Sequence, residues 1–545
     1  MPRFVLSVSA LPSALGYWLV RHRLGVSIGI VALQSLLAML QASASIDGVW
    51  YFWLDDDQMV SMRYGRNLAQ GHGLVWNPGE RVEGYTNFLW TVVMAAIHLL
   101  PVSDAAAAIP VQLLNAALLA AILVAIGGLA RRCGLPELPS FLLLLTLSLN
   151  LDLVYWAVHG FETTCVTAIF VWVLHGTLAR EPSPMPRIGM ASLLALLPLI
   201  RSDALYVWAA AALMVLIKAP QRRRTLATLL LTLLPFGLHL IWRRSYYGDW
   251  LPNTYYLRVA DVIDRWTLAA DYLSRFAWNY APSLLLATVG CIRAASRRYW
   301  ILLLPVPVGV AYVLAVGEDL FAYSRFLAFS VPGLMLLAVF SLQHMVRTPV
   351  SQSFLLAGYA ALSTWLVGTT SLEALRDDNG KPLVNAVTGV LLREHAGPDA
   401  SVAVLAAGNV PYFSRLNTVD LLGKSDRVIA RSPPHRDGYV GHNKYDPEYS
   451  LARRPDYVVL FWLHSWAIHD WTIEQARQGG DAWITALVTS PTFRREYLGN
   501  PVPLRYLLEN NSVYVRNDSP ERRRLGHWHE PTVIPAPGLR FLSGR

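Results

Sequence analysis

Residues 24–45 read LGVSIGIVALQSLLAMLQASAS, an apolar run without a charged residue, preceded by Arg21 and Arg23 and followed by Asp55-Asp56-Asp57. A helix rises about 1.5 Å per residue, so a run of this length crosses a hydrocarbon core of about 30 Å. No small-residue cleavage site stands at signal-peptide distance, so the run reads as an uncleaved first transmembrane helix.

Ten more apolar blocks follow, at 106–129, 140–156, 161–178, 188–200, 204–217, 226–242, 278–292, 299–316, 327–344 and 354–370. Together they predict an α-helical polytopic membrane protein of about eleven transmembrane helices. Composition agrees: the 545 residues are 54% hydrophobic and 15% charged, where soluble domains carry about a quarter charged. One further stretch, Tyr85 to Leu100, either crosses the membrane or lies in its outer interface. If it stays outside, the basic clusters at Arg131-Arg132, Lys218 to Arg224 and Arg293 to Arg298 all face the cytoplasm, with Arg243 and Arg244 as exceptions. We therefore expect an interfacial or re-entrant helix there, and a C-terminal region on the outer side.

The apolar blocks stop near Arg376, which divides the chain into a membrane domain, 1–374, with a first outer loop at 46–105, and an extracytoplasmic C-terminal domain, 375–545. Strand-like runs at 400–408 and 456–461 make that domain α/β or α+β. The tail from Asn517 to Arg545, rich in Pro and Arg, reads as a poorly packed extension. The net charge of +9 is spread over short loops, which suits membrane orientation and gives no footprint for nucleic acid. The cysteines Cys133, Cys165 and Cys291 all precede the C-terminal domain, which excludes a disulfide framework or a cysteine zinc site within it.

The chemistry-bearing residues gather in the first outer loop. Asp55 or Asp56 is placed to cap a short helix, on which Asp56, Arg63 and Asn67 share a face. Like charges this close oppose ionisation, so at least one of Asp55, Asp56 and Asp57 should have the raised proton affinity of a general base. Glu80, Arg81, Glu83, Thr86 and Asn87 follow as polar candidates for substrate contact. His159, Glu162, Arg201 and Asp203 stand at the outer ends of apolar blocks, where ionisable groups are functional candidates, and Asn253, His442 and Lys444 complete the set. Arginine suits phosphate because its planar fork makes two parallel hydrogen bonds, which nominates Arg63, Arg201 and Arg325 for a lipid phosphate. Three carboxylates also offer oxygen ligands to Mg²⁺ or Ca²⁺, although the chemistry requires no cofactor.

The loop carries Asp56-Asp57, Arg63, Arg66-Asn67 and then Gly71 through Glu83, ending Gly79-Glu80-Arg81-Val82-Glu83. This pattern resembles the C-type (GT-C) superfamily of membrane glycosyltransferases, and within it bacterial arabinofuranosyltransferases of the mycobacterial terminal and pilin-modifying types. Family-like stretches recur in order at His159 to Thr163, Arg201 to Asp203, Pro252-Asn253, Arg325 to Leu327 and Asp420 to Gly423. The resemblance implies transfer of a sugar, arabinofuranose, from a polyprenyl-phosphate donor to an extracytoplasmic glycan or protein acceptor. It implies inversion, with Asp56 as base, and the additional Asp55 leaves that register open by one position. It also implies a multi-pass protein of the bacterial inner membrane, with its active site on the periplasmic side and membrane lipids as partners. The rivals are a polytopic transporter or flippase and a polysaccharide polymerase or ligase of the cell envelope.

Overall fold

The computed structural model describes residues 14–178, 188–259, 264–292, 297–317, 319, 321, 323–346, 348–377, 381–436, 440–460, 482–498, 513–528 and 531–535. It separates into two compact units. One comprises Met1–Leu37, Gln112–Leu240 and Asp264–Asp377, and the other Ala38–Val111, Ile241–Ile263 and Asp378–Arg545.

The first unit is helical, and all eleven apolar blocks coincide with helix. Among the described residues six helices have the length and apolarity to cross a membrane: Arg23–Gln41, Ala108–Arg132, Arg222–Tyr247, Tyr299–Val316, Arg325–Met345 and Pro349–Thr370. A seventh is available from Glu137–Ser148 and Leu151–Val158, bent by 50°. The bend falls at Asn150, whose Oδ1 accepts the Leu153 N–H and starts a new helix inside one apolar run. The remaining blocks yield shorter helices, such as Thr163–Thr177 and Ile188–Ile200, of 15 and 13 residues. Residues 331–342 are all buried, so this helix forms the centre of the unit. Phe354 and Trp365 on the last long helix are largely exposed, as lipid-facing residues are. The chain is a multi-pass membrane protein.

The stretch Tyr85 to Leu100 forms the helix Phe88–His98. Eleven residues reach only about 16 Å, roughly half of the hydrocarbon core. This helix packs in the second unit on Asp56–Ala69.

Two sheets organise the second unit. In the smaller, β1 (Ser43–Ile46) pairs antiparallel with both β2 (Val49–Phe52) and a late strand, Val533–Pro535. In the larger, β3 (Ser401–Val404) lies between β4 (Asn417–Asp420) and β5 (Tyr457–Val459), both parallel to it, and β6 (Val513–Val515) closes the edge antiparallel to β5. Parallel strands joined through helices make this an α/β sheet, and the two strand-like runs seen in the sequence are its central pair. The helices Ala482–Thr489 and Pro491–Glu496 cover it, with Trp483, Leu487, Phe493 and Tyr514 in one apolar core.

The expected poorly packed tail is corrected by this arrangement over its described part. Val533–Pro535 is a paired strand, and the buried Glu521 accepts the Gly397 N–H at 2.9 Å and the Tyr457 hydroxyl at 3.0 Å. The tail carries ladder and cap bonds that composition does not reveal. Residues 536–545 lie outside the described ones.

Candidate active site

The helix Asp56–Ala69 starts at Asp55, whose Oδ1 accepts the Asp57 N–H at 2.9 Å. Asp55 is therefore the cap. Asp56 turns to the loop after β3: Gly408 N–H donates to its Oδ2 at 3.0 Å and Asn409 N–H to its Oδ1 at 2.8 Å. Burial raises the proton affinity of Asp56, against the opposing pull of these N–H groups and Lys424. Asp57 forms an ion pair with Lys424. The three carboxylates thus engage three different partners and do not converge as a ligand set for a cation. Among the described residues no group of three or more His, Cys, Asp or Glu side chains is arranged to hold a metal.

Lys424 stands on a loop built for it. The Asp420 carboxylate accepts the N–H groups of Leu422, Gly423 and Ser425, at 3.0, 3.1 and 2.6 Å. Asn253 clasps the same loop from the other side, its Nδ2 donating to the carbonyls of Gly423, Lys424 and Asp426. Gly423 has φ +81°, and a Cβ there would lie 2.6 Å from Ile429, so the turn requires glycine. Burial pushes the Asp420 carboxyl up to about 6.

His442 stands in the same field. Burial, with Arg258 and Lys424 nearby, brings its imidazole down to about 3 despite Asp57, so it is neutral at physiological pH. Arg258 packs directly on Gly441, where a Cβ would come within 2.8 Å of its Nε. Lys444 is buried instead, donating to the carbonyls of Tyr256 and Ala430 at 2.9 and 3.1 Å. The expectation that it contacts an acceptor is corrected: its ammonium ties the helices Asn253–Arg258 and Arg427–Arg431 together.

Arg63 is a second correction. It is 2% exposed, and its five N–H donors go to Trp76 O, Pro411 O, Thr418 Oγ1, Asn77 Oδ1 and Leu416 O, all within 3.2 Å. Burial, with Arg66 nearby, lowers its pKa to about 9, so it stays charged, but it has no donor left for a phosphate. Asn67 supports the same corner, donating to Val75 O and Trp76 O. Helical spacing put Arg63 and Asn67 on one face correctly; that face is turned into protein.

The rest of the loop is largely structural in its contacts. Glu80 accepts from Asn77 and pairs with Arg453, Arg81 lies 4.7 Å over the Tyr246 ring, and Asn87 accepts from Ser61 and Thr91. Thr86 is half-buried just ahead of the helix Phe88–His98. Glu83 and Arg243 form an ion pair at 2.8 Å with both side chains 1% exposed. Burial outweighs the arginine and holds the Glu83 carboxyl at about 7.

The remaining candidates belong to the helical unit. Arg201 grips Asp203 through two bonds of 2.5 and 2.9 Å and reaches Glu162 at 2.6 Å, while Tyr312 donates to Asp203. Arg325 pairs with Asp319 at 2.7 Å. His159 ends the helix Leu151–Val158 and stacks on Tyr155, centroids 4.0 Å apart. Arg201 is thus committed to Glu162 and Asp203, while the buried Nε of Arg325 makes no hydrogen bond among the described residues.

An aspartate triplet is seated on the C-terminal α/β segment, with Lys424 and His442 beside it. The chain is similar to terminal β-(1→2)-arabinofuranosyltransferases. That of Mycobacterium tuberculosis is 31% identical over 277 residues, 47% of this chain and 43% of the relative. That of Corynebacterium glutamicum is 50% identical over 38 residues, 7% of this chain and 6% of the relative. The matches therefore span less than half the length of these relatives. Residues 375–498 match the model of a domain of unknown function, DUF8728. Among solved structures, ArnT from Cupriavidus metallidurans bound to undecaprenyl phosphate aligns over 76% of this chain and 87% of its own, with 11% identity and a TM-score of 0.47. The oligosaccharyltransferase AglB from Archaeoglobus fulgidus aligns over 74% and 65%, with 11% identity and a TM-score of 0.44. These structural scores are too low to carry an argument about fold or chemistry.

Sequence reasoning missed Lys424, Gly408, Asn409 and Arg258, and it noted Asp420 and Arg243 without giving either a place in the site. For Arg243 a signal existed, since it breaks the charge asymmetry of the loops; its buried partner Glu83 accounts for it. Lys424 directly follows the family-like stretch Asp420 to Gly423. Gly408 and Asn409 carry no mark beyond following a strand.

Proposed function

We propose that this protein is a membrane glycosyltransferase that moves a sugar, an arabinofuranose, from a polyprenyl-phosphate donor to a hydroxyl of an extracytoplasmic glycan or protein. The observation that carries the reading is the aspartate triplet at the start of the helix Asp56–Ala69, held against the C-terminal sheet. The similarity to the mycobacterial terminal transferase supports the sugar and the reaction class. An aspartate takes the proton of the acceptor hydroxyl, the oxygen attacks the anomeric carbon, and the bond to the lipid phosphate breaks with its electron pair leaving on phosphate. One displacement inverts that carbon. The reaction needs no metal and no nucleotide. The charge asymmetry of the loops supports the aspartates on the outer side of the membrane, and the family resemblance supports a bacterial inner membrane as the setting.

The test is direct. Protein reconstituted in nanodiscs is given synthetic polyprenyl-phosphoryl arabinofuranose and an arabinan oligosaccharide, and products are read by mass spectrometry and NMR. We expect an acceptor one pentose heavier with inverted anomeric configuration. Retention of configuration would overturn the single displacement, and absence of transfer from this and other pentosyl donors would overturn the function.

A further inference from the structure

We infer that the three aspartates have three different tasks: Asp55 caps the helix, Asp56 is a strut that seats the C-terminal segment, and Asp57 is the base, held by Lys424 until a donor phosphate draws the ammonium away. The base assignment rests on the transferase reading above. The strut does not.

Asp56 is already committed. Besides the two main-chain N–H bonds it accepts the Asn409 Nδ2 at 3.4 Å, and its own carbonyl abuts Gly408 so closely that a Cβ there would fall 1.9 Å from the oxygen. Backbone meets backbone on that side, so no acceptor hydroxyl enters there. Taking up a proton would also weaken the charge-assisted bonds that hold the loop to the sheet, at every turnover.

Asp57 differs in each respect. Its side chain is 29% exposed, its cationic partner sits on a long flexible stem, and the neutral His442 imidazole lies in the field of both. The charged and titratable groups acting with it are Lys424, His442 and Asp56, and Arg258 acts on His442. Lys424 is 21% exposed while its backbone is fixed by Asn253, so the ammonium can swing without the loop moving. A polyprenyl phosphosugar is a phosphodiester with one negative charge, and departure of the sugar leaves a monoester that gains a second. Attraction to Lys424 therefore grows along the reaction coordinate, which is where an interaction accelerates chemistry. As the ammonium moves from Asp57 to phosphate, the carboxylate loses the cation that depressed its basicity and takes the hydroxyl proton.

The experiment compares D56N, D57N, K424M and K424R with wild type in nanodiscs, reading transfer, thermal unfolding and binding of polyprenyl monophosphate alone. We expect D57N to lower kcat by about 100-fold or more with unfolding unchanged, and D56N to unfold at lower temperature while keeping a measurable kcat. K424M should weaken polyprenyl monophosphate binding about tenfold or more and move the acid limb of the kcat/KM profile to higher pH, because a carboxylate without its cation holds its proton longer; K424R should restore both in part. An inactive D56N that unfolds like wild type, beside an active D57N, would return the base to Asp56. An unchanged pH profile and unchanged lipid-phosphate binding in K424M would overturn the role of Lys424. Wild-type protein that transfers no sugar would remove the transferase reading together with the base, a result distinct from transfer by D57N at the wild-type rate.

Discussion

The Asp56 carboxylate accepts the main-chain N–H of Asn409 at 2.8 Å, although the two residues are 353 positions apart. The neighbouring Gly408 makes this contact possible, since any Cβ would fall 1.9 Å from the Asp56 carbonyl oxygen. Main-chain atoms cannot rotate out of the way as a side-chain tip can. Gly408→Ala should therefore push the loop back by about 1 Å, a displacement that lowers catalytic rates by about 100-fold. The transfer assay and a melting curve on the same preparation check this, with both expected to fall.

Arg63 should behave as a structural residue. Lysine offers three donors where the guanidinium uses five. Arg63→Lys should destabilise by roughly 2–5 kcal/mol, because buried carbonyls are left without partners. Binding of polyprenyl monophosphate, normalised to folded protein, should stay at the wild-type value.

The Glu83 and Arg243 pair should respond asymmetrically. A buried carboxyl already held near 7 can take a proton when its partner is removed, whereas a guanidinium cannot give one up. Glu83→Gln should thus cost more than Arg243→Met, the former about 3–5 kcal/mol. Unfolding of both variants at neutral pH decides the order.

Asp420 gives stability a pH dependence of definite sign. Its carboxyl is raised from 3.8 to about 6 in the folded protein. Between those values the folded chain keeps a proton that the unfolded chain has released, so the contribution is complete below about pH 4 and lost as pH rises through about 6. The change is on the order of 3 kcal/mol. Wild-type stability measured relative to Asp420→Asn should fall across this window and stay flat above it.

Chelation should leave transfer intact. The carboxylates of Asp55, Asp56 and Asp57 go to separate partners. Activity after EDTA treatment and gel filtration should match the untreated rate, and recovery only on adding Mg²⁺ or Ca²⁺ would show that the triplet regroups around a cation.

Much of this was legible because it repeats locally. Apolar runs marked most helices of the membrane unit, though not Ala14–Arg21 or Arg265–Asn279, and β-branched runs marked β3 and β5. The helix at Asp56 followed from its cap and spacing. What stayed hidden depends on contacts across hundreds of residues. Arg63 looked like a phosphate ligand because a sequence shows a charge but not the carbonyls around it. Lys444 was misread for the same reason. Hydropathy also does not register the break at Asn150, where a side chain begins a second helix within one apolar run.

The seat of Asp56 has a consequence for biogenesis. Ribosomes finish the aspartates hundreds of codons before Gly408 and Asn409, and later still comes Val533–Pro535, which adds the last strand beside Ser43–Ile46. A partly made chain can insert its first helix and display all three carboxylates, yet it has nothing to set them against. The geometry of the site is thus withheld until translation has passed these residues, so an unfinished chain displays the carboxylates without the contacts that orient them.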